Sequence, residues 1–247
     1  MSLQDIKERC NRIMGSLILT ESSSESKDKV PVYVVVVYTK SSFGRVIKAY
    51  TRGPYTHASI GLDSKLDKLY SFNLIKDKNV NGFSIESVSD YLTDNEDARM
   101  TVFVVFVKKS LKQKLKETLD WFIDHINETK YSLLNTFTVA FQIPFDRGTK
   151  MICSQFVDKM LKLINVDVTG KKSSKVFPND IYRSKSNKLF KVFEGRVDKY
   201  DKKKADKNTK EILKSDALDD GNNTYVQEGN FIIVENTSLY EDDWIEI

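Results

Sequence analysis

Two cysteines and two histidines stand in this 247-residue chain, so a thiol–imidazole pair can be assembled in four ways. Such a pair carries out acyl transfer: the imidazole takes the thiol proton and the sulfur attacks a carbonyl. Local context separates the four. Cys153 sits where a short apolar approach, Lys150-Met151-Ile152, turns into the amphipathic run CSQFVDKMLKLI, which predicts a helix from Cys153 to Ile164. A cysteine in a first helical turn faces unpaired backbone N–H groups and the positive end of the helix dipole, which favours a thiolate. The same amides can hold an oxyanion. The competing reading is a small buried core residue, the commonest role of a free cysteine. Cys10, between Arg9 and Asn11 on a mixed-charge segment, has no such turn and reads as structural. His57 falls in YTHASIGLD, where Ala58, Ile60 and Leu62 alternate with His57, Ser59 and Gly61, the pattern of a strand. Small neighbours leave room for a group to approach the imidazole, although a half-exposed strand histidine fits the same pattern. His125 lies at the edge of a helical stripe and reads as a boundary residue.

The elements that must position these groups follow from periodicity. Leu3 to Leu19 is spaced as a helix, and the polar stretch Glu21 to Asp28 as a linker. VYVVVVY, from Val32 to Tyr38, is apolar on both faces and predicts a strand in the middle of a sheet. Ser41 and Ser42 cap a short helix reaching Tyr50. Further strands are expected around His57, over Leu69 to Leu74 and over Met100 to Val107, with a turn at Asn81-Gly82 and a helical turn over Ser87 to Leu92. Leu111, Leu115, Leu119, Phe122 and Ile126 recur at three- and four-residue steps as one buried helix face. Tyr131 to Phe145 reads as partly helical, Leu189 to Phe193 as a strand, Lys199 to Lys210 as a solvated run and FIIVE as one more strand. The class is α+β, a mostly antiparallel sheet packed against helices. Three regions are expected: an N-terminal helix and linker over 1–29, a main domain over 30–198, and a basic linker with an acidic extension over 199–247.

Composition excludes several classes. Two cysteines cannot make a disulfide framework or a four-thiolate zinc site, and two isolated histidines give no recognisable metal-ligand set. No apolar run approaches the ~20 residues that span a bilayer. The mixed-charge N-terminus lacks a secretory core, which predicts a cytoplasmic protein. Net charge is +4, but Glu211 to Ile247 holds ten acidic residues against Lys214 alone, so the tail is −9 and the rest +13. The lysines are scattered and no aromatic motif interleaves them, so nucleic acid is not the expected partner. Phe231, Ile232, Ile233, Val234 and Trp244 are too many apolar residues for a purely solvating tail, so the acidic extension is expected to dock on the body or on a protein partner.

YTHASIGLD with LYSFN, then MICSQFVDKML about a hundred residues later, then FPNDIY, resembles the circularly permuted papain-like cysteine hydrolases of the NlpC-related superfamily. This branch includes YiiX-like proteins and the lecithin:retinol acyltransferase group, and in it the histidine strand precedes the cysteine helix. The resemblance covers roughly Val30 to Phe193. It implies a permuted papain-like fold, a catalytic pair of Cys153 and His57, and no metal or organic cofactor. It also implies a third, orienting residue on the strand after the histidine strand. Here the nearest positions hold Ser71 and Asn73, with Asn73 the better candidate because its amide oxygen can accept a ring N–H. Tyr38, Tyr55 and Ser154 are candidate oxyanion or substrate contacts, and Asp180 of FPNDIY reads as a turn cap. The implied activity is a peptidase, amidase or acyltransferase working through a thiol acyl intermediate, on cell-wall-type peptides, other amides or lipid acyl groups. A cell-wall enzyme made without a signal peptide would be phage-encoded or released by lysis, and the lysine-rich, glycine-poor usage fits a low-G·C bacterium or its phage. The alternative is a binding module that keeps the groove and has lost the chemistry.

Overall fold

A computed structural model of the chain describes residues 28–38, 53–75, 80–93, 97–131, 150–216, 223–228 and 231–236. The helices expected over Leu3 to Leu19 and up to Tyr50, Cys10, and nearly all of the Tyr131 to Phe145 stretch lie outside these residues. In chain order the described elements are β1 (Lys29–Val37), β2 (His57–Gly61), β3 (Leu69–Ile75), β4 (Val80–Glu86), α1 (Asp90–Thr93), β5 (Arg99–Lys108), α2 (Lys109–Asp124), β6 (Lys130–Tyr131), β7 (Lys150–Met151), α3 (Cys153–Leu163), α4 (Pro178–Tyr182), β8 (Phe190–Arg196), α5 (Lys202–Asp216), β9 (Asn223–Glu228) and β10 (Phe231–Asn236).

The valine run makes β1 the centre of the sheet. It pairs antiparallel with β2 on one side and β5 on the other, Val34 facing both Ile60 and Phe103. Val32 and Val34 to Val37 are all fully buried because each face of β1 carries its own core. A fully buried side chain of this size contributes about 1.5–3 kcal/mol relative to exposure. Six antiparallel strands, β4-β3-β2-β1-β5-β8, form the body of the sheet, and the β10–β9 hairpin extends it to eight. The short β6 and β7 pair in parallel apart from it.

On one face α2 and α3 pack through aromatic contacts. Phe122 and Phe156 sit 5.2–5.9 Å, ring to ring, from Phe72 of β3 and Phe83 of β4. The buried stripe of α2 is Leu115, Thr118, Leu119 and Phe122. Ile126, expected on that stripe, is 40% exposed because α2 ends at Asp124 and the chain turns into a 3₁₀ segment. The opposite core holds Tyr33, Val35, Leu69, Tyr91, Val102 and Phe193 under Ala205 and Ile212 of α5. The run read as solvated is therefore largely this helix. Its lysines face water while Ala205, Asn208, Thr209 and Ile212 face the sheet. Tyr33 Oη donates to Thr209 Oγ1 at 3.1 Å, which fixes α5 to β1. The core is thus continuous across residue 198, the boundary expected between the main domain and a linker. Phe231 pairs with Phe193, so the FIIVE segment is a strand of the same sheet; the 237–247 end lies outside the described residues.

One strand was hidden by its turn-like dipeptide. Asn81-Gly82 is not a turn but part of β4, opposite Leu74 and Asn73. Gly82 has φ +140°, and a Cβ there would stand 2.6 Å from the Thr129 carbonyl oxygen. Thr129 Oγ1 in turn accepts the Phe83 N–H at 2.9 Å. Gly82→Ala is expected to destabilise the protein by about 2–4 kcal/mol, the cost of a strained φ plus a displaced backbone contact. Thermal melting checks it; an unchanged midpoint would show that β4 does not need this approach. Among the described residues no helix is long and apolar enough to cross a membrane.

Candidate active site

α3 begins at Cys153 after the extended residue Ile152. Gln155 secures this start: its Oε1 accepts the Ile152 N–H at 3.3 Å and its Nε2 donates to the Ser174 carbonyl at 3.2 Å. Phe156, Val157, Met160 and Leu161 anchor the helix in the core. Cys153 is left in the first turn, whose N–H groups no intrahelical carbonyl can reach. Cys153 is 1% exposed and His57, the first residue of β2, is 5% exposed.

The structure brings the two together. The helix α3 packs against β2, which brings Cys153 close enough to the His57 ring to act on its charge. The ring's Nε2 donates to Glu86 Oε1 at 2.8 Å, which leaves Nδ1 as the nitrogen free to exchange a proton. Burial, the largest influence on His57, disfavours the imidazolium; the Glu86 carboxylate and then Cys153 more than offset it, and the pKa rises from 6.5 to about 10. Burial likewise opposes charge on Glu86, yet His57, Tyr91 and Asn73 together hold its pKa below the ordinary carboxylate value.

The side chain that bonds the imidazole is thus Glu86, at the end of the strand that the sequence concealed. Asn73, the expected orienter, does not bond the imidazole. Its Nδ2 donates to Glu86 Oε2 at 2.8 Å and to Ser84 Oγ at 2.9 Å, so it holds the carboxylate that holds the histidine. Ser71 is not an orienter either. The β2–β3 ladder has only two residue pairs, Ile60 with Tyr70 and Gly61 with Leu69, and beyond them Ser71 Oγ donates to the Ala58 carbonyl at 2.7 Å. Tyr91, on α1, completes the surroundings of Glu86 with a 2.7 Å bond to Oε1. No local signal in the sequence ties Glu86 or Tyr91 to His57; a carboxylate closing the strand after LYSFN was the clue available.

The hydroxyls of two expected oxyanion contacts, Tyr55 and Ser154, are engaged elsewhere. Tyr55 Oη is bonded to Thr101 Oγ1 at 2.5 Å, and its pKa is pushed up to about 12 by burial. Ser154 Oγ donates to the Val176 carbonyl at 2.6 Å, so only its backbone is available to a ligand. Tyr38 follows β1, and its N–H donates to the Arg99 carbonyl at 3.1 Å. His125 stacks on Trp121 with ring centroids 4.3 Å apart and plays no part here.

FPNDIY forms α4 and holds the chain just ahead of His57. Asp180 Oδ2 accepts the Phe177 N–H at 2.9 Å, the cap expected of it. Asn179 grips the backbone of Tyr55, accepting its N–H at 3.1 Å and donating to its carbonyl at 2.7 Å, two residues before His57. Gly53 is required for this approach, since a Cβ there would meet Asn179 Cγ at 2.2 Å. Among the described residues no group of three or more His, Cys, Asp or Glu side chains is placed to hold a metal ion.

No protein-family model matches the chain, and no curated protein matches it in sequence. One solved structure that it resembles is the metalloprotein YiiX from Escherichia coli O157:H7, of the DUF1105 group. The match has 14% identity and a TM-score of 0.42, and covers 66% of this chain and 96% of that one. The chain is an α+β protein built on an antiparallel sheet, with a cysteine, a histidine and a glutamate gathered where α3 meets β2.

Proposed function

We propose that the chain is a cysteine hydrolase or acyltransferase of the permuted papain-like kind, with Cys153 as nucleophile, His57 as base and Glu86 as orienter. The observation that carries the reading is the buried Cys153–His57–Glu86 line. Burying a carboxylate and an imidazole is costly and is sustained here by their mutual bond and by donors from Tyr91 and Asn73. In the proposed reaction the pair acts as thiolate and imidazolium, the Cys153 proton already held on His57 Nδ1 as the raised imidazole pKa favours, and the sulfur bonds to an amide or ester carbonyl carbon. A pKa raised by Glu86 makes the imidazole a stronger acceptor for that proton. First-turn amides of α3 receive the oxyanion. As the tetrahedral centre collapses, the C–N or C–O bond breaks and the imidazolium protonates the leaving group. Water or an amine then attacks the thioester, gives its proton to His57, and the acyl group departs as the thiolate re-forms.

The substrate class proposed is an amide or ester of a peptide or fatty acyl group. Profiling wild type and Cys153→Ala against peptide, ester and lipid-amide panels tests the reading. Turnover of at least one panel member by wild type, absent in the variant, supports it; equal turnover by both overturns it. Reversible binding of panel members without turnover would instead fit a module that keeps the groove alone.

A further inference from the structure

We propose that Tyr91 is a positioning residue for the reaction, acting through Glu86 as a middle link of a hydrogen-bond chain that runs Ser59–Tyr91–Glu86–His57. The proposal rests on the reading above and adds to it a residue on a separate element, α1.

The direction of each bond in the chain is fixed by donor counting. An ionised carboxylate only accepts, so the Tyr91 hydroxyl donates its single hydrogen to Glu86 Oε1 at 2.7 Å. That hydrogen being used, the 2.9 Å contact between Tyr91 Oη and Ser59 Oγ must be donated by the serine. Ser59 lies two residues beyond His57 on the same face of β2, so both ends of the chain are anchored on one strand. Tyr91 is 6% exposed and Ser59 fully buried, and the phenol ring stands edge-on to the imidazole with centroids 6.2 Å apart. Oε1 therefore takes two donors, His57 Nε2 and the Tyr91 hydroxyl, while Oε2 takes Asn73 Nδ2.

This arrangement stabilises the anion more than the acid. A protonated Glu86 would need an acceptor for its own hydrogen, and its neighbours are donors. The titratable groups facing it are His57 from β2, Tyr91 from α1 and, beyond the imidazole, Cys153 from α3. Burial and the Glu86 charge both push the Tyr91 phenol well above its ordinary range, so it remains a donor throughout the working pH range.

The test is the pH profile of Cys153 acylation by p-nitrophenyl acetate in wild type, Tyr91→Phe and Ser59→Ala, with Cys153→Ala as reference. Tyr91→Phe keeps the ring and removes the donor. Its acid limb is expected to move up by roughly one pH unit, so that the acylation rate on that limb falls about tenfold, the effect of one hydrogen bond to a charged group. Ser59→Ala leaves that donor in place and is expected to move the limb the same way by less. An acid limb that coincides with wild type in both variants overturns the proposal, even if the rate falls, because a purely structural role lowers rate without moving the limb. Should Tyr91→Phe fail to fold, the Ser59→Ala limb alone decides. Acylation that persists in Cys153→Ala would overturn the underlying reading instead, so the two failures are distinct.

Discussion

Replacing Cys153 or His57 with alanine is expected to abolish turnover, and the double variant should be no slower than either single one. Nucleophile and base act as a unit, so once one is gone the other has nothing left to contribute. Loss on the order of 10⁴-fold or more is expected, as in other enzymes whose nucleophile or base is removed. Fold should survive Cys153→Ala, because the thiol is small and the helix start is secured by Gln155 rather than by Cys153. His57→Ala removes the Glu86 partner and leaves a buried carboxylate with two donors in place of three. That variant should therefore melt earlier as well. Single-turnover rates alongside melting curves separate the two effects; additive losses in the double variant would show that the residues do not act together.

Glu86→Gln should lower the rate by on the order of 10²–10⁴-fold, since the amide can still accept from Nε2 but no longer offsets the burial of the imidazolium. The folding consequence has a defined pH window. Raised above its unfolded value of 6.5, the His57 pKa contributes stability that is fully present below 6.5 and is lost as pH rises through about 10. Lowered from 4.5, the Glu86 pKa contributes stability that is present above 4.5 and lost as pH falls through its depressed value. Wild type should thus exceed Glu86→Gln in stability most between about 4.5 and 6.5, by about 1–3 kcal/mol, the scale of a hydrogen bond to a charged group. Denaturant melts at pH 3, 5.5 and 10 check this. A difference that is flat across the three would mean the pair is not ionic in the folded protein.

The strands β1, β2, β3 and β5 and the helices α2 and α3 were legible because each carries an unbroken apolar period. Cys153 and His57 were legible for a related reason: a helix start and a strand face are local features. Glu86 was not. Its strand contains Asn81-Gly82, whose turn-like character is used instead to let Thr129 approach β4, a contact 47 residues away along the chain. Once β4 is taken for a turn, the carboxylate at its end has no place in a sheet, and Asn73 becomes the nearest polar group on the expected strand. The helix α5 was missed because its lysines outnumber Ala205, Asn208, Thr209 and Ile212, which face the core. The tyrosine and serine hydroxyls expected at the oxyanion site are bonded to Thr101 and the Val176 carbonyl, partners that only the folded chain supplies.

The central claim is that Cys153 is a nucleophile activated by His57, and covalent trapping tests it most directly. Wild type, His57→Ala and Cys153→Ala are each mixed with p-nitrophenyl acetate at neutral pH, quenched in acid, and analysed by intact mass and peptide mapping. One acetyl group on Cys153 is predicted in wild type, formed at least a hundredfold more slowly in His57→Ala and absent in Cys153→Ala. Acetylation of Cys153 at the same rate with and without His57, or labelling of Cys10 in preference to Cys153, would contradict the account.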